Sequence, residues 1–289
     1  MKRPLVLLCC LALLMFACNI STTATPPTVT SAPPATVPAV TQSPTATQPP
    51  AATEPPTATE PPAQLTNVTC NELLLYLDPA LASGYECKTI PEVSGQGFDV
   101  NPQYTELNLQ GYPLADRFFT PHIDVFPIQR FSELSPDVVN QDVASLQALI
   151  AGGAVGDSLP LLPIFNAAQE FHAHYKVLPF SSGSGVRFLT QYAQYADPAN
   201  NHDMFYTFQG LTGDGKYWIS AVLPISNTTL PDNGNNPPNG QSPEQFSNNF
   251  PNYIIDITNQ LNSFPEDSNS FNPLISALDG LVGSIKIQP

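Results

Sequence analysis

A chain of 289 residues with 24 acidic against nine basic side chains carries a formal charge of −15. It has no basic cluster, which excludes nucleic acid as a partner. Its 33 prolines are unevenly spread, 12 of them between Asn19 and Thr66, so the whole length cannot form one core.

Lys2 and Arg3 precede an uncharged apolar run from Pro4 to Ala17. Its 14 residues fall short of the about 20 that a permanent spanning helix needs, so residues 1–17 read as a signal peptide. The run closes in Leu14-Met15-Phe16-Ala17-Cys18, which resembles the lipobox of bacterial lipoproteins. The resemblance implies that Cys18 receives a diacylglyceryl group and becomes the new N-terminus. Its two or three acyl chains would then hold the protein to a membrane far more firmly than one chain.

Cysteine usage agrees with that resemblance. Cys9 and Cys10 leave with the signal, and a lipidated Cys18 leaves Cys70 and Cys87 free to pair. Closing the 16 intervening residues is worth about 3 kcal/mol, the alternative being two free buried thiols. A disulfide fits an oxidising compartment, so the expected location is the extracytoplasmic face of a cell membrane, in a periplasm or at the cell surface. Without residues 1–17 the balance is 7 − 24 = −17. A chain so acidic is repelled by anionic lipid, so membrane contact falls to the lipid anchor.

From Asn19 to Thr66 the sequence holds 12 Pro and 13 Thr in 48 residues, with near-repeats such as "AATEPP" and "TATEPP". With almost no large apolar side chain it cannot form a core. Residues 18–64 therefore read as the anchor cysteine plus a disordered stalk, with an extended reach on the order of 150 Å. A single globular domain is expected over residues 65–289.

In that domain "CNELLLYLDPALASGYEC" reads as a short helix and a Pro-Gly turn, and strands are expected at Tyr104 to Gln110 and His122 to Phe131. Ser135 suits an N-cap, Pro136 the first helical position and Asp137 the helix dipole. Val139, Val143, Leu146 and Ile150 then make one apolar face, and Gly152-Gly153 ends the helix.

From Glu170 the period becomes two. Phe171, Ala173, Tyr175 and Val177 alternate with Glu170, His172, His174 and Lys176, the pattern of a strand with one wet face. "SSGSG" turns the chain into a second strand in which Val186, Phe188, Thr190 and Tyr192 alternate with Arg187, Leu189 and Gln191. Met204, Tyr206 and Phe208 share a face of a third strand, and Tyr217, Ile219, Ala221, Leu223 and Ile225 a face of a fourth, with the hairpin turn "TGDG" between them. Trp218 is left for the open face. A polar loop follows, then a capping-box helix at Ser242-Pro243 with Gln245. Asn272-Pro273 opens the last helix, whose stripe of Leu274, Leu278, Leu281 and Ile285 packs on the sheet.

This element order argues for an α+β domain, an antiparallel sheet made of a hairpin plus a four-stranded meander and flanked by helices. Over Tyr104 to Ile287 the order loosely resembles that of PsbP/Mog1-like domains, some of which occur as bacterial lipoproteins. That resemblance implies binding and assembly roles rather than a shared chemistry.

Catalytic signatures are sparse. Ser182 stands where a nucleophile elbow around Ser184 needs a glycine, and the loop "DNGNNPPNG" puts Gly234, Pro237 and Pro243 at the third, sixth and twelfth positions of a calcium loop, the last in place of the bidentate Glu. His172 and His174 could ligate a metal with Glu170, yet the alternation places them on a solvated face. No phosphate loop, dinucleotide fingerprint or Cys-x-x-Cys pair is present. No catalytic residue, metal or cofactor is therefore assigned. The function expected is a membrane-anchored lipoprotein that, without catalysis, binds a small molecule, a protein or the cell wall or organises the envelope, with any binding surface where the loops gather at Arg187, Tyr195, His202 and Trp218. The alternative is an extracytoplasmic hydrolase with its acids on the loops Asp197 to Asp203 or Asp232 to Glu244. A carboxylate of shifted pKa in a cleft would favour the hydrolase, and exposed aromatics the binding protein.

Overall fold

The computed structural model describes residues 64–95 and 97–288. The expected signal peptide, Cys18 and almost all of the stalk lie outside the described residues.

The stretch between the two cysteines departs most from expectation. Thr66–Cys70 (β1) and Leu73–Leu77 (β2) form an antiparallel hairpin where a helix was predicted, and Gly84–Ile90 (β3) follows. A leucine run satisfies either period, and here burial alternates: Leu73, Leu75 and Leu77 are enclosed while Tyr76 faces outward. Asn71, in the left-handed region at φ 51°, makes the tight turn. Cys70 and Cys87 are joined as a disulfide, tying this hairpin to β3.

After β3 come Tyr104–Gln110 (β4) and His122–Pro127 (β5), then two helices, Ile128–Leu134 (α1) and Pro136–Ile150 (α2). The strand predicted as far as Phe131 ends at Pro127, because Phe131 is buried from a helical turn. Ser135 stands at the N-cap position of α2, but its hydroxyl makes no capping bond. It also ends α1, its N–H donating to Phe131 O at 2.9 Å, and its backbone serves both helices.

Ala168–Phe180 (β6), Gly183–Ala193 (β7), Phe205–Thr212 (β8) and Tyr217–Pro224 (β9) are the predicted meander. β5 pairs antiparallel with β9, so hairpin and meander fuse into one seven-stranded sheet of order β3-β4-β5-β9-β8-β7-β6. Ser226–Asn227 (β10) pairs with Phe271–Asn272 (β11), and Lys286–Ile287 (β12) extends the β1-β2 hairpin.

The sheet is covered on both faces. On one, Phe126, Phe188, Phe205, Trp218 and Val222 form a core with the buried side of α1, α2 and the segment Leu159–Leu162. On the other, Tyr206, Phe208, Ile219 and Leu223 pack with Pro243–Asn262 (α3), Ile275–Gly283 (α4) and the β1-β2-β12 sheet. Every residue of β8 is buried in consequence.

The capping box is present: the Gln245 N–H donates to Ser242 Oγ at 3.2 Å and the Ser242 N–H to Gln245 Oε1 at 2.9 Å. The last helix starts at Ile275, later than predicted, because Asn272 is engaged in strand pairing with Ser226. Among the described residues no helix is long and apolar enough to cross a membrane.

Candidate functional site

Register places the β4–β5 connection, the β7–β8 connection and the start of β6 at one end of the sheet, where His122 is level with Val222, and Phe205 with Pro224. Between these loops, with Phe98 and Asp99 from the β3–β4 connection, lies a hollow of about 540 Å³. A second, of about 720 Å³, continues from it past His202 to the segment Asn233–Pro237, and Phe118, Tyr195, Asp197 and Asp203 line both.

The wall is aromatic. Phe119 stacks on Phe165 with ring centroids 5.1 Å apart and meets Phe205 edge-on at 4.8 Å, while Phe165 meets Tyr192 at 5.0 Å. These rings carry the inner wall. At the rim Phe98, Phe118 and Tyr195 are 54%, 67% and 75% exposed, so three aromatic side chains stand open to solvent around one hollow.

Buried amides hold the floor in shape. Gln191 and Asn200 are fully enclosed, and Gln191 Oε1 accepts the Asn200 N–H at 3.1 Å. Asn200 Oδ1 in turn accepts the N–H groups of His202 and Asp203, and its Nδ2 donates to Asp203 Oδ2 at 2.9 Å. The Ala199 N–H donates to Tyr253 Oη on α3 at 3.0 Å, and the Phe118 N–H donates to His202 O at 3.0 Å. Two loops are thereby tied into one rim before any ligand arrives.

Carboxylates supply the charge. Desolvation, followed by the charge of Asp203, pushes Asp197 up to about 6. The backbone of Gly234 adds to that enclosure, since a Cβ there would stand 2.7 Å from Asp197 Oδ2. Asp203 Oδ1 lies 2.5 Å from His202 Nδ1. Glu170, pushed up to about 8 mainly by burial, lines neither hollow. It occupies the extra position of a bulge between Gln169 and Phe171. Its Oε1 accepts the Asp197 N–H at 3.0 Å and its Oε2 the Gln191 amide at 2.8 Å, a positioning role beneath the loop.

No protein-family model, curated protein or solved structure matches this chain.

Of the four loop residues predicted to bind, Tyr195 and His202 line the second hollow together. Arg187 and Trp218 do not join them. Trp218 is fully buried, its Nε1–H donating to Gln209 Oε1 at 2.7 Å, because α1 and α2 cover the face expected to be open. Arg187 is also fully enclosed: Nε and Nη2 donate to the Asp279 carboxylate at 3.0 Å, and Nη2 donates to Glu266 at 2.6 Å. The expected wet face of β6 is broken as well. A bulge between Ala173 and Lys176 carries His174 at φ 53°, which turns its imidazole toward Leu261 O, 2.7 Å away, and leaves His172 Nδ1 buried without a partner.

Sequence reasoning passed over Phe98, Phe118, Phe119 and Phe165. The usable signal was that these aromatics stand in proline-flanked loop segments, such as "RFFTP", where no strand pairing accounts for them. Chemically the groove offers ring faces, hydroxyl and amide groups, and three carboxyl groups. Among the described residues no group of three or more His, Cys, Asp or Glu side chains is placed to hold a metal ion.

Proposed function

We propose that this chain is a lipid-anchored extracytoplasmic lipoprotein whose folded domain binds a ligand, without catalysis, in the aromatic groove at the loop end of its sheet. The observation that carries the binding role is the gathering of Phe98, Phe118 and Tyr195, all exposed, around one hydrogen-bonded rim. Isolated surface aromatics are ordinary, but three around one hollow form the kind of patch that marks a contact surface. The location rests on the lipobox-like stretch ending at Cys18, and the disulfide between Cys70 and Cys87 supports an oxidising compartment.

One observation favours the hydrolase as a second reading. Asp197, which takes up a proton near pH 6 in the groove that also holds Asp203, has the properties of a general acid. The larger perturbation belongs to Glu170, whose oxygens are engaged by the loop, and this weighs toward binding.

Thermal unfolding of the full chain against a panel of small molecules and oligosaccharides separates these cases. Truncating Phe118 and Tyr195 removes exposed rings and costs the fold about 0.5 kcal/mol or less per site. Binding in the groove predicts compounds that raise the Tm of the wild type and have no effect on the Phe118→Ala/Tyr195→Ala variant. Equal shifts in both proteins would exclude the groove. Consumption of a panel member that stops in Asp197→Asn would establish the hydrolase.

A further inference from the structure

We propose that the ligand of this groove is an organic cation, a small amphipathic ammonium compound whose charged head sits between the faces of Phe118 and Tyr195 and the carboxylate of Asp203. The inference rests on the groove being a binding site and adds the chemistry of its occupant. Ring faces carry the negative end of the aromatic quadrupole and attract ammonium groups within about 6 Å of the centroid, more strongly where water is excluded. Here Phe98, Phe118 and Tyr195 are exposed around one hollow, and the same hollow is lined by Asp99, Asp197 and Asp203. Among the described residues no lysine or arginine lines either hollow; His202, whose Nδ1 lies 2.5 Å from Asp203 Oδ1, is the one basic side chain there, and Asp99 and Asp197 make no ion pair.

The field of the whole chain acts in the same direction. A formal charge of −15 raises the local concentration of cations at an acidic concavity and repels anions from it. An anionic ligand would meet three carboxyl groups, and a neutral sugar would stack on the rings but leave Asp99 and Asp197 without a cationic partner. A bare metal ion would use neither the rings nor the volume of about 540 Å³. An ammonium ion on an apolar frame satisfies ring faces, carboxylates and volume together.

Calorimetric titration of the full chain tests the inference, with choline and the larger benzyltrimethylammonium as probes, 3,3-dimethylbutan-1-ol as the uncharged isostere of choline, and chitotriose as a neutral sugar. Saturable binding of an ammonium probe is expected, with the uncharged isostere about tenfold weaker. Asp203→Asn and Phe118→Ala/Tyr195→Ala should each weaken the cation by about tenfold while far-ultraviolet circular dichroism stays that of the wild type. Equal affinity for choline and its isostere, preference for the sugar, or no binding of either ammonium probe at millimolar concentration would overturn the cation. If some other compound still binds the wild type and is lost from the aromatic double variant, only the cation assignment has failed. Binding that survives the double variant removes the groove as well.

Discussion

Asp124 lies on β5, 2% exposed, with Oδ1 unpartnered and Oδ2 3.7 Å from His122 Nε2. Burial pushes its carboxyl from an ordinary 3.8 up to about 7. A carboxyl whose folded pKa is raised favours its protonated form in the fold. Its stabilising contribution is therefore complete below about pH 4 and is lost as the pH rises through about 7. Asp124→Asn removes that titration. Urea unfolding at pH 5 and pH 8 should show the wild type losing on the order of 2 kcal/mol more than the variant between the two values. Parallel losses would mean that Asp124 is solvated. Arg187 shows how little of this scale a sequence reveals: its carboxylate partner Asp279 lies 92 residues further on. Alternation on β7 distinguishes the two sides of the strand, but it cannot say that a guanidinium lies inward on a neutralising acid.

Elements were legible where their causes are local. The "TGDG" hairpin forms as read, with Asp214 Oδ1 accepting from the Thr212 hydroxyl at 2.8 Å and from the Lys216 N–H at 3.1 Å. The capping box and the start of α2 at Pro136 are equally local. Two causes were out of reach. The leucines of β2 fit a helix or a strand, and distant partners decide between them, including Lys286 and Ile287 of β12. The bulges at Glu170 and His174 each shift a strand register that simple alternation continues. The disulfide belongs to this scale because it ties the β1-β2 hairpin to the edge strand β3. Reduction, or Cys70→Ala/Cys87→Ala, should lower unfolding free energy by about 3 kcal/mol in denaturant titrations. A loss below about 0.5 kcal/mol would show that β1 and β2 are held by packing alone.

At the scale of the molecule, an α+β domain with a predominantly antiparallel, helix-flanked architecture was legible from element order, whereas its closure into one sheet was not. That closure depends on β5 meeting β9 across about 90 residues, and sequence spacing carries no trace of it. It also explains the fate of the expected binding set: a second helical layer buries Trp218, while loops brought to one end of the sheet keep Tyr195 and His202 together. The proposed anchoring can be tested only on the full chain. If Cys18 bears the lipid, Cys18→Ser should move the protein from the membrane pellet to the soluble fraction in ultracentrifugation, and an unchanged distribution would locate the anchor elsewhere.

The most direct test of the groove is native mass spectrometry of the full chain purified from the cells that make it, compared with the Phe118→Ala/Tyr195→Ala variant. A ligand site at the loop end predicts a non-covalent adduct on the wild type that disappears on denaturation and is missing from the variant. An adduct retained equally by the variant would contradict it.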